Sequence, residues 1–205
     1  MSITVSSFWL SVSFNIVTKT AAYFRIQKNA LTGTIPSELG DMPLTELWLQ
    51  RNFGLTGTLP LGLSKLSNSL TDIRLGMTAI GGTLPEFLFE MSQVWRMDFS
   101  DARFTGTLST NFGKLGSLQS LRLTGNQLSG TIPTEMGLMT SLYELSLFGN
   151  NISGTIPPAV CALRLEQRLE FLSMNCLPES DSAPSVVCDC CSICCNSSGS
   201  QCVFP

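Results

Sequence analysis

Apolar residues recur along this chain with two superposed spacings. In the shorter, Leu44, Leu47 and Leu49 precede Asn52, Leu70, Ile73 and Leu75 precede Thr78, and Val94, Met97 and Phe99 precede Ala102. The run returns as Leu118, Leu121 and Leu123 before Asn126, as Leu142, Leu145 and Leu147 before Asn150, and in part as Phe24 and Ile26 before Asn29. An x-Leu-x-Leu-x segment sends alternate side chains to opposite faces, so each run predicts a short strand with one apolar face. The longer spacing belongs to the whole unit. Ile35-Pro36, Leu59-Pro60, Leu84-Pro85, Leu108-Ser109, Ile132-Pro133 and Ile156-Pro157 follow one another at intervals of 24, 25, 24, 24 and 24 residues. Just upstream of them lie Gly33, Gly57, Gly82, Gly106, Gly130 and Gly154. One such unit cannot bury its apolar face alone. Stacked, the units form a parallel sheet over a continuous apolar column, which predicts a solenoid.

The recurring residues of the unit have physical roles. The turn asparagines Asn29, Asn52, Asn126 and Asn150 can donate and accept hydrogen bonds to backbone groups of neighbouring coils that would otherwise be buried unpaired. Glycine permits the bend after the turn, and proline stops the return segment from continuing as a central strand. Leu39, Leu63, Leu88, Phe112, Met136 and Val160, each three residues past the proline position, are expected to point inward from the convex side in helical or 3₁₀ turns. Two coils carry Thr78 and Ala102 where the asparagine belongs, and Ser109 replaces proline, so the polar ladder should be weakest in the middle. Together the positions resemble the leucine-rich repeat, L-x-x-L-x-L-x-x-N-x-L, and the continuation L-x-G-x-[IL]-P resembles its plant-type subclass, over about residues 20–176. The resemblance implies an α/β-type repeat solenoid. Its right-handed coil would carry a parallel concave β-sheet and short 3₁₀, helical or irregular convex segments.

The expected organisation has three parts: residues 1–20, the solenoid at 21–176, and a cysteine-rich tail or cap at 177–205. In the first, Phe8, Leu10, Val12, Phe14 and Ile16 alternate with Trp9, Ser11, Ser13 and Asn15, which reads as a terminal strand rather than a degenerate signal or cap. The helical cap with paired cysteines usual in the plant-type family is not seen there. Either the strand adds to the open end or the chain is a fragment of something longer. Leu163, Leu169, Leu172 and Met174 read as a last, degenerate coil ending at Cys176, followed by a polar stretch, Pro178–Pro184. Cys188, Cys190, Cys191, Cys194, Cys195 and Cys202 then resemble the cysteine-rich tails of leucine-rich repeat proteins of diatoms and related algae. A zinc knuckle would use Cys191-x-x-Cys194, but its partner pair lies too close for a loop-separated site. A disulfide cap fits better, with Cys161 and Cys176 placed in the last coils to tie the tail down; eight cysteines allow 105 pairings.

Charge and composition narrow the function. The 12 basic and 15 acidic residues nearly cancel, which leaves no electrostatic footprint for nucleic acid or an anionic membrane. No run of about 20 apolar residues predicts a membrane span. The absence of histidine removes Ser-His-Asp and Cys-His pairs and histidine metal ligands. No carboxylate couple and no phosphate cradle stands out, so neither an enzyme nor a metal or other cofactor is expected. The outward strand positions form three columns on the concave face: Tyr23, Glu46, Asp72, Arg96, Ser120, Glu144; Arg25, Trp48, Arg74, Asp98, Arg122, Ser146; and Gln27, Gln50, Gly76, Ser100, Thr124, Phe148. From these, Arg25, Trp48, Arg74, Asp98, Arg122 and Phe148 are the candidate partner-binding residues, because exposed Trp and Arg are common anchors of interfaces. The competing reading is a self-satisfied ladder, with Trp48 between Arg25 and Arg74, and Asp98 paired to Arg74 and Arg122. Asn151 and Asn196 begin N-x-Ser triplets that would be glycosylated in a secreted chain. The sequence reading is therefore a non-catalytic module, secreted or at the cell surface, that binds a protein or peptide on its concave face; the oligomeric state stays open. One alternative is a fragment of a receptor-like kinase or receptor-like protein ectodomain. Another is a structural or surface-binding protein, for a matrix or ice, that uses the outward rows Thr32, Thr34, Thr56, Thr58, Thr83, Thr105, Thr107, Thr131 and Thr155.

Overall fold

Each apolar x-Leu-x-Leu-x run is a three- or four-residue strand: Tyr23–Arg25, Glu46–Trp48, Asp72–Arg74, Arg96–Asp98, Ser120–Arg122, Glu144–Ser146 and Phe171–Met174, here called coils 1 to 7. A computed structural model of the chain describes residues 23–166, 169–177, 186–196 and 201–203. The expected strand Phe8–Ile16 and the stretch Pro178–Pro184 lie outside the described residues. The seven strands pair in sequence order, in parallel, and the tail strands Ile193–Cys195 and Cys202–Val203 extend them to a nine-stranded sheet. The register is the repeat's own: Glu46 lies opposite Asp72 and Trp48 opposite Arg74, then Arg74 opposite Asp98 and Asp98 opposite Arg122.

The inward leucines form one column. Leu44, Leu47, Leu70, Ile73, Leu75, Leu118, Leu121, Leu123 and Leu145 are completely buried, each contributing about 1.5–3 kcal/mol relative to an exposed side chain. From the convex side, 3₁₀ turns at Ser37–Asp41, Leu61–Leu66, Glu86–Glu90, Thr110–Lys114 and Thr134–Leu138, and a helix at Pro158–Glu166, push Leu39, Leu63, Leu88, Phe112, Met136 and Val160 into the same column. Ser109 holds the extended backbone that proline holds elsewhere (φ −75°, ψ 142°). It adds something proline cannot: its hydroxyl accepts a hydrogen bond from the Asn111 amide at 3.1 Å and caps the turn.

The flank between turn and proline is more regular than the bend expected from its glycine. Thr32–Thr34, Gly54–Gly57, Ala79–Thr83, Arg103–Thr107, Gln127–Gly130 and Asn151–Ile152 form a second, six-stranded parallel sheet. Its register is offset from the repeat: Thr34 lies opposite Thr56, and Thr83 opposite Thr105, so equivalent threonines run obliquely across it. In the second and third units the glycine is required on two counts. Gly57 has φ +82°, in the left-handed region, and a Cβ there would lie 2.8 Å from the Thr34 methyl of the preceding coil.

All eight cysteines are paired, as Cys161–Cys190, Cys176–Cys194, Cys188–Cys191 and Cys195–Cys202. The first two join the last coils to the tail. Val186, Cys191 and Cys194 belong to the same buried cluster as Leu172 and Met174, and Val186–Val187 pairs in parallel with Gly154–Thr155. The tail thus continues both the sheet and the core beyond the last repeat.

Candidate functional site on the concave sheet

Two polar systems organise the solenoid, one inside the turns and one on the concave surface. In the turns, Asn52 donates to Ile26 O of the coil before it (2.9 Å) and to Leu49 O (2.8 Å), and its carbonyl accepts from Leu31 N. Asn126 makes the same set with Phe99 O, Leu123 O and Phe104 N, and Asn150 with Leu123 O, Leu147 O and Leu128 N. Asn29 departs from this role. It is exposed and bonds only Ile26 O and Gln27 O of its own coil, because no described coil precedes it. Thr78 likewise reaches only Leu75 O and Ile80 N of its own coil, and Ala102 bears no polar group.

On the concave surface the alternation of the strands places Arg25, Trp48, Arg74, Asp98 and Arg122 on adjacent strands in one column, with Phe148 in the next. The guanidiniums of Arg25 and Arg74 lie 4.2 and 3.9 Å from the Trp48 ring centre, on its two neighbouring strands. Each arginine also holds a carboxylate, Arg25 with Glu46 and Arg74 with Asp72, both at 2.6 Å. The expected Asp98–Arg74 pair is corrected here. Arg74 turns along its own strand to the buried Asp72, whose hydrogen bonds raise the guanidinium's pKa above its ordinary value. Asp98 instead faces Arg122 at 3.9 Å and accepts from Ser100 N. Arg122 bonds Glu144 at 2.7 Å, and this bond raises the arginine's pKa too.

The ladder satisfies its charges but not all of its polar atoms. Among the described residues, the buried side-chain nitrogens and oxygens without a hydrogen-bond partner are Gln27 Oε1, Trp48 Nε1, Gln50 Oε1 and Arg96 Nε. All four belong to the concave columns. The sequence had placed Gln27, Gln50 and Arg96 on this face without assigning them to binding. It had passed over Trp95, Tyr143 and Phe171, which are 37%, 41% and 42% exposed at the edge where the strands begin. The signal was available: Trp95 and Tyr143 occupy the same position of coils 4 and 6, directly after Val94 and Leu142. Phe171 was hidden by the irregular length of coil 7. For a metal, the sulfurs of Cys176, Cys191 and Cys194 lie within 4.8 Å of one another, but each is in a disulfide and offers no thiolate.

The arrangement is that of the Leucine Rich Repeat family, whose model matches residues 117–139 and 141–163. The chain carries leucine-rich repeats and shares their fold with plant receptor ectodomains. Among solved structures it is similar to a plant ice-binding protein (25% identity over 80% of this chain and 57% of that one, TM-score 0.69). It is also similar to the plant peptide hormone receptor RGFR1 in complex with RGF2 (34% identity, 80% of this chain and 24% of the receptor, TM-score 0.66). A third likeness is to the ectodomain of the Arabidopsis receptor kinase HAESA in complex with an extended IDA peptide hormone (26% identity, 81% and 30%, TM-score 0.70). The chain therefore spans little more than half of the ice-binding protein and under a third of these receptors. No curated protein sequence matches it. Among the described residues no helix is long and apolar enough to cross a membrane.

Proposed function

We propose that this chain is a non-catalytic recognition module of the extracellular space, and that it binds a protein or peptide on the concave sheet through Arg25, Trp48, Arg74, Asp98, Arg122 and Phe148. The observation that carries the reading is the placement of the unpaired atoms. Buried polar groups in folded proteins are almost always hydrogen-bonded, yet Gln27 Oε1, Trp48 Nε1, Gln50 Oε1 and Arg96 Nε are not, and all lie on one face. An extended peptide, with a donor and an acceptor at every residue, is the complement such a face lacks. The receptors to which the chain is similar hold peptide hormones. The four disulfides support an oxidising compartment, where Asn151, exposed on the flank, would carry a glycan.

Peptides selected from a random displayed library against the wild-type protein supply the assay. Trp48→Ala should weaken concave-face binders about tenfold or more, the usual effect of truncating an aromatic anchor. Lys114→Ala, on the convex side, should leave them unchanged: Lys114 meets only Glu90 at an exposed site. Binders equally indifferent to both variants would remove the concave face from the reading.

A second reading, adhesion to an ordered surface such as ice, is favoured by one observation. Thr34, Thr58, Thr83, Thr107, Thr131 and Thr155 are exposed on the flank, and an ice-binding protein is among the similar structures. The oblique register weighs against it, as do Thr56 and Ser129, whose hydroxyls are spent on the carbonyls of Gly33 and Gly106. Ice-recrystallisation assays of the wild type and Thr107→Lys decide: inhibition lost in the variant would establish this reading, and no inhibition by the wild type would end it.

A further inference from the structure

The two ends of the concave face treat their aromatic rings differently. At the N-terminal end each ring carries a cation of the chain itself. Arg25 lies over Tyr23 at 4.7 Å and over Trp48, Arg74 covers the other neighbour's side of Trp48, and Arg96 lies 5.4 Å from Trp95. Beside these arginines stand the carboxylates Glu46 and Asp72. The face thus repeats a small unit of aromatic ring, guanidinium and carboxylate.

At the C-terminal end the unit recurs without its cation. Tyr143 and Phe171 meet edge to face, 5.2 Å between ring centres at 67°. Their backbones fix this geometry, since the amides of Glu170 and Phe171 both donate to Tyr143 O at 2.9 and 3.1 Å. Both rings are about two-fifths exposed, and among the described residues no arginine or lysine lies over either. Carboxylates are present. Glu170 lies beside Tyr143 in the next coil, its amide donating to Tyr143 O; burial first, then the charge of Glu170, then Glu144 raise the tyrosine's pKa. Among the described residues, the carboxylates of Glu144 and Glu170 stand on this side with the guanidinium of Arg122, which is already bonded to Glu144. Two exposed π-faces beside the carboxylate of Glu170 form an environment that attracts a cation, and among the described residues none lies over them.

We propose that the Tyr143–Phe171 pair, with Glu170 beside it, seats a basic side chain: the arginine or lysine of a peptide lying along the concave face. The proposal rests on the recognition reading and names the ligand's chemistry at one end of it. It also gives the face a polarity. A peptide engaged at Gln27 and Gln50 would place its basic residue toward coils 6 and 7.

The test uses the whole disulfide-bonded protein and two small probes, acetyl-arginine amide and its neutral isostere acetyl-citrulline amide. Ring-proton NMR shifts of Tyr143 and Phe171 are followed at constant ionic strength. The expected result is saturable binding of the arginine probe at millimolar concentration, roughly three- to fivefold tighter than citrulline, the yield of one cation–π contact at an exposed site. Phe171→Leu should remove that preference, Glu170→Gln should reduce it, and added salt should weaken it. Equal shifts with both probes on the wild-type protein, or none, would overturn the proposal whether or not the variants fold. Its failure is separable from failure of the recognition reading. Library peptides that depend on Trp48 but carry no basic residue would keep the reading and dismiss this seat.

Discussion

Coils 5 and 6 and coils 3 and 4 share one fold with different means of holding it. In coils 5 and 6 the turn is Gly125-Asn126 and Gly149-Asn150. The glycines take φ +67° and +70° without steric cost, and each asparagine stitches its coil to the one before. These are also the two stretches that the family model recognises. In coils 3 and 4 the same backbone is built from Met77-Thr78 and Asp101-Ala102. Met77 and Asp101 are forced to φ +57° and +51°, and no side-chain bond from Thr78 or Ala102 crosses between coils. The left-handed conformation costs a non-glycine residue roughly 1–2 kcal/mol. The middle therefore has the same shape with fewer polar ties. Its cohesion comes from packing: Ile73, Leu75, Val94 and Phe104 are completely buried, and Phe99 stacks on Phe104 at 5.2 Å. The geometry of a turn can be imposed by its stacked neighbours even when its own residues do not favour it.

Five substitutions break or sharpen this contrast. The largest effect is expected from Asn126→Ala, which leaves Phe104 N, Phe99 O and Leu123 O without their side-chain partner; denaturant midpoints should show a loss of about 1–3 kcal/mol. An unchanged midpoint would mean that the ladder contributes nothing. Ala102→Asn should move coil 4 toward coils 5 and 6, with Leu75 O and Phe99 O within the reach that Asn126 and Asn150 have in their own coils. A gain of about 0.5–1.5 kcal/mol is expected, and a loss would show that the 9%-exposed site has no room for the amide. Ser109→Ala should cost roughly 0.5–1 kcal/mol through the lost cap, while Ser109→Pro should be close to neutral, because φ −75° is already proline's own. Thermal melts of the pair separate the two contributions.

The smallest effect is electrostatic. The Asp101 carboxyl is pushed above its ordinary value of 3.8, first by burial and then by the charge of Asp98. A carboxyl whose folded-state pKa is raised imposes no penalty while it is protonated in both states. It destabilises the fold as pH rises through the folded value. Asp101→Asn should therefore stabilise the protein near neutral pH by at most about 0.5 kcal/mol, since an exposed carboxylate is screened by water. The gain should vanish below about pH 3.8. A gain equal at both pH values would assign it to asparagine's tolerance of positive φ instead.

The candidate site was legible in outline. Alternation of the strands gave the three concave columns, and the stacking of Arg25 and Arg74 about Trp48 follows from their repeat positions alone. The partner of Arg74 did not follow. Asp72 two residues away on the same strand and Asp98 on the next strand are both within reach by sequence, and the burial of Asp72 decides between them. Tyr143 and Phe171 could be read as outward residues, but their meeting depends on how the longer seventh coil closes.

By itself the sequence determined the solenoid, because a 24-residue period of apolar residues has only one way to bury its face, against copies of itself. It also determined the direction of every strand side chain, since a period of two leaves no freedom. The tertiary structure decided what depends on distance between coils. The second sheet is one example: Thr-Gly-Thr carries no apolar alternation, and it pairs only because stacking brings the flanks together. The four disulfides are another, since eight cysteines within reach of one another in sequence are sorted only by where the last coil and the tail come to rest. Local pattern fixes what each coil is; long-range packing fixes which groups of different coils meet.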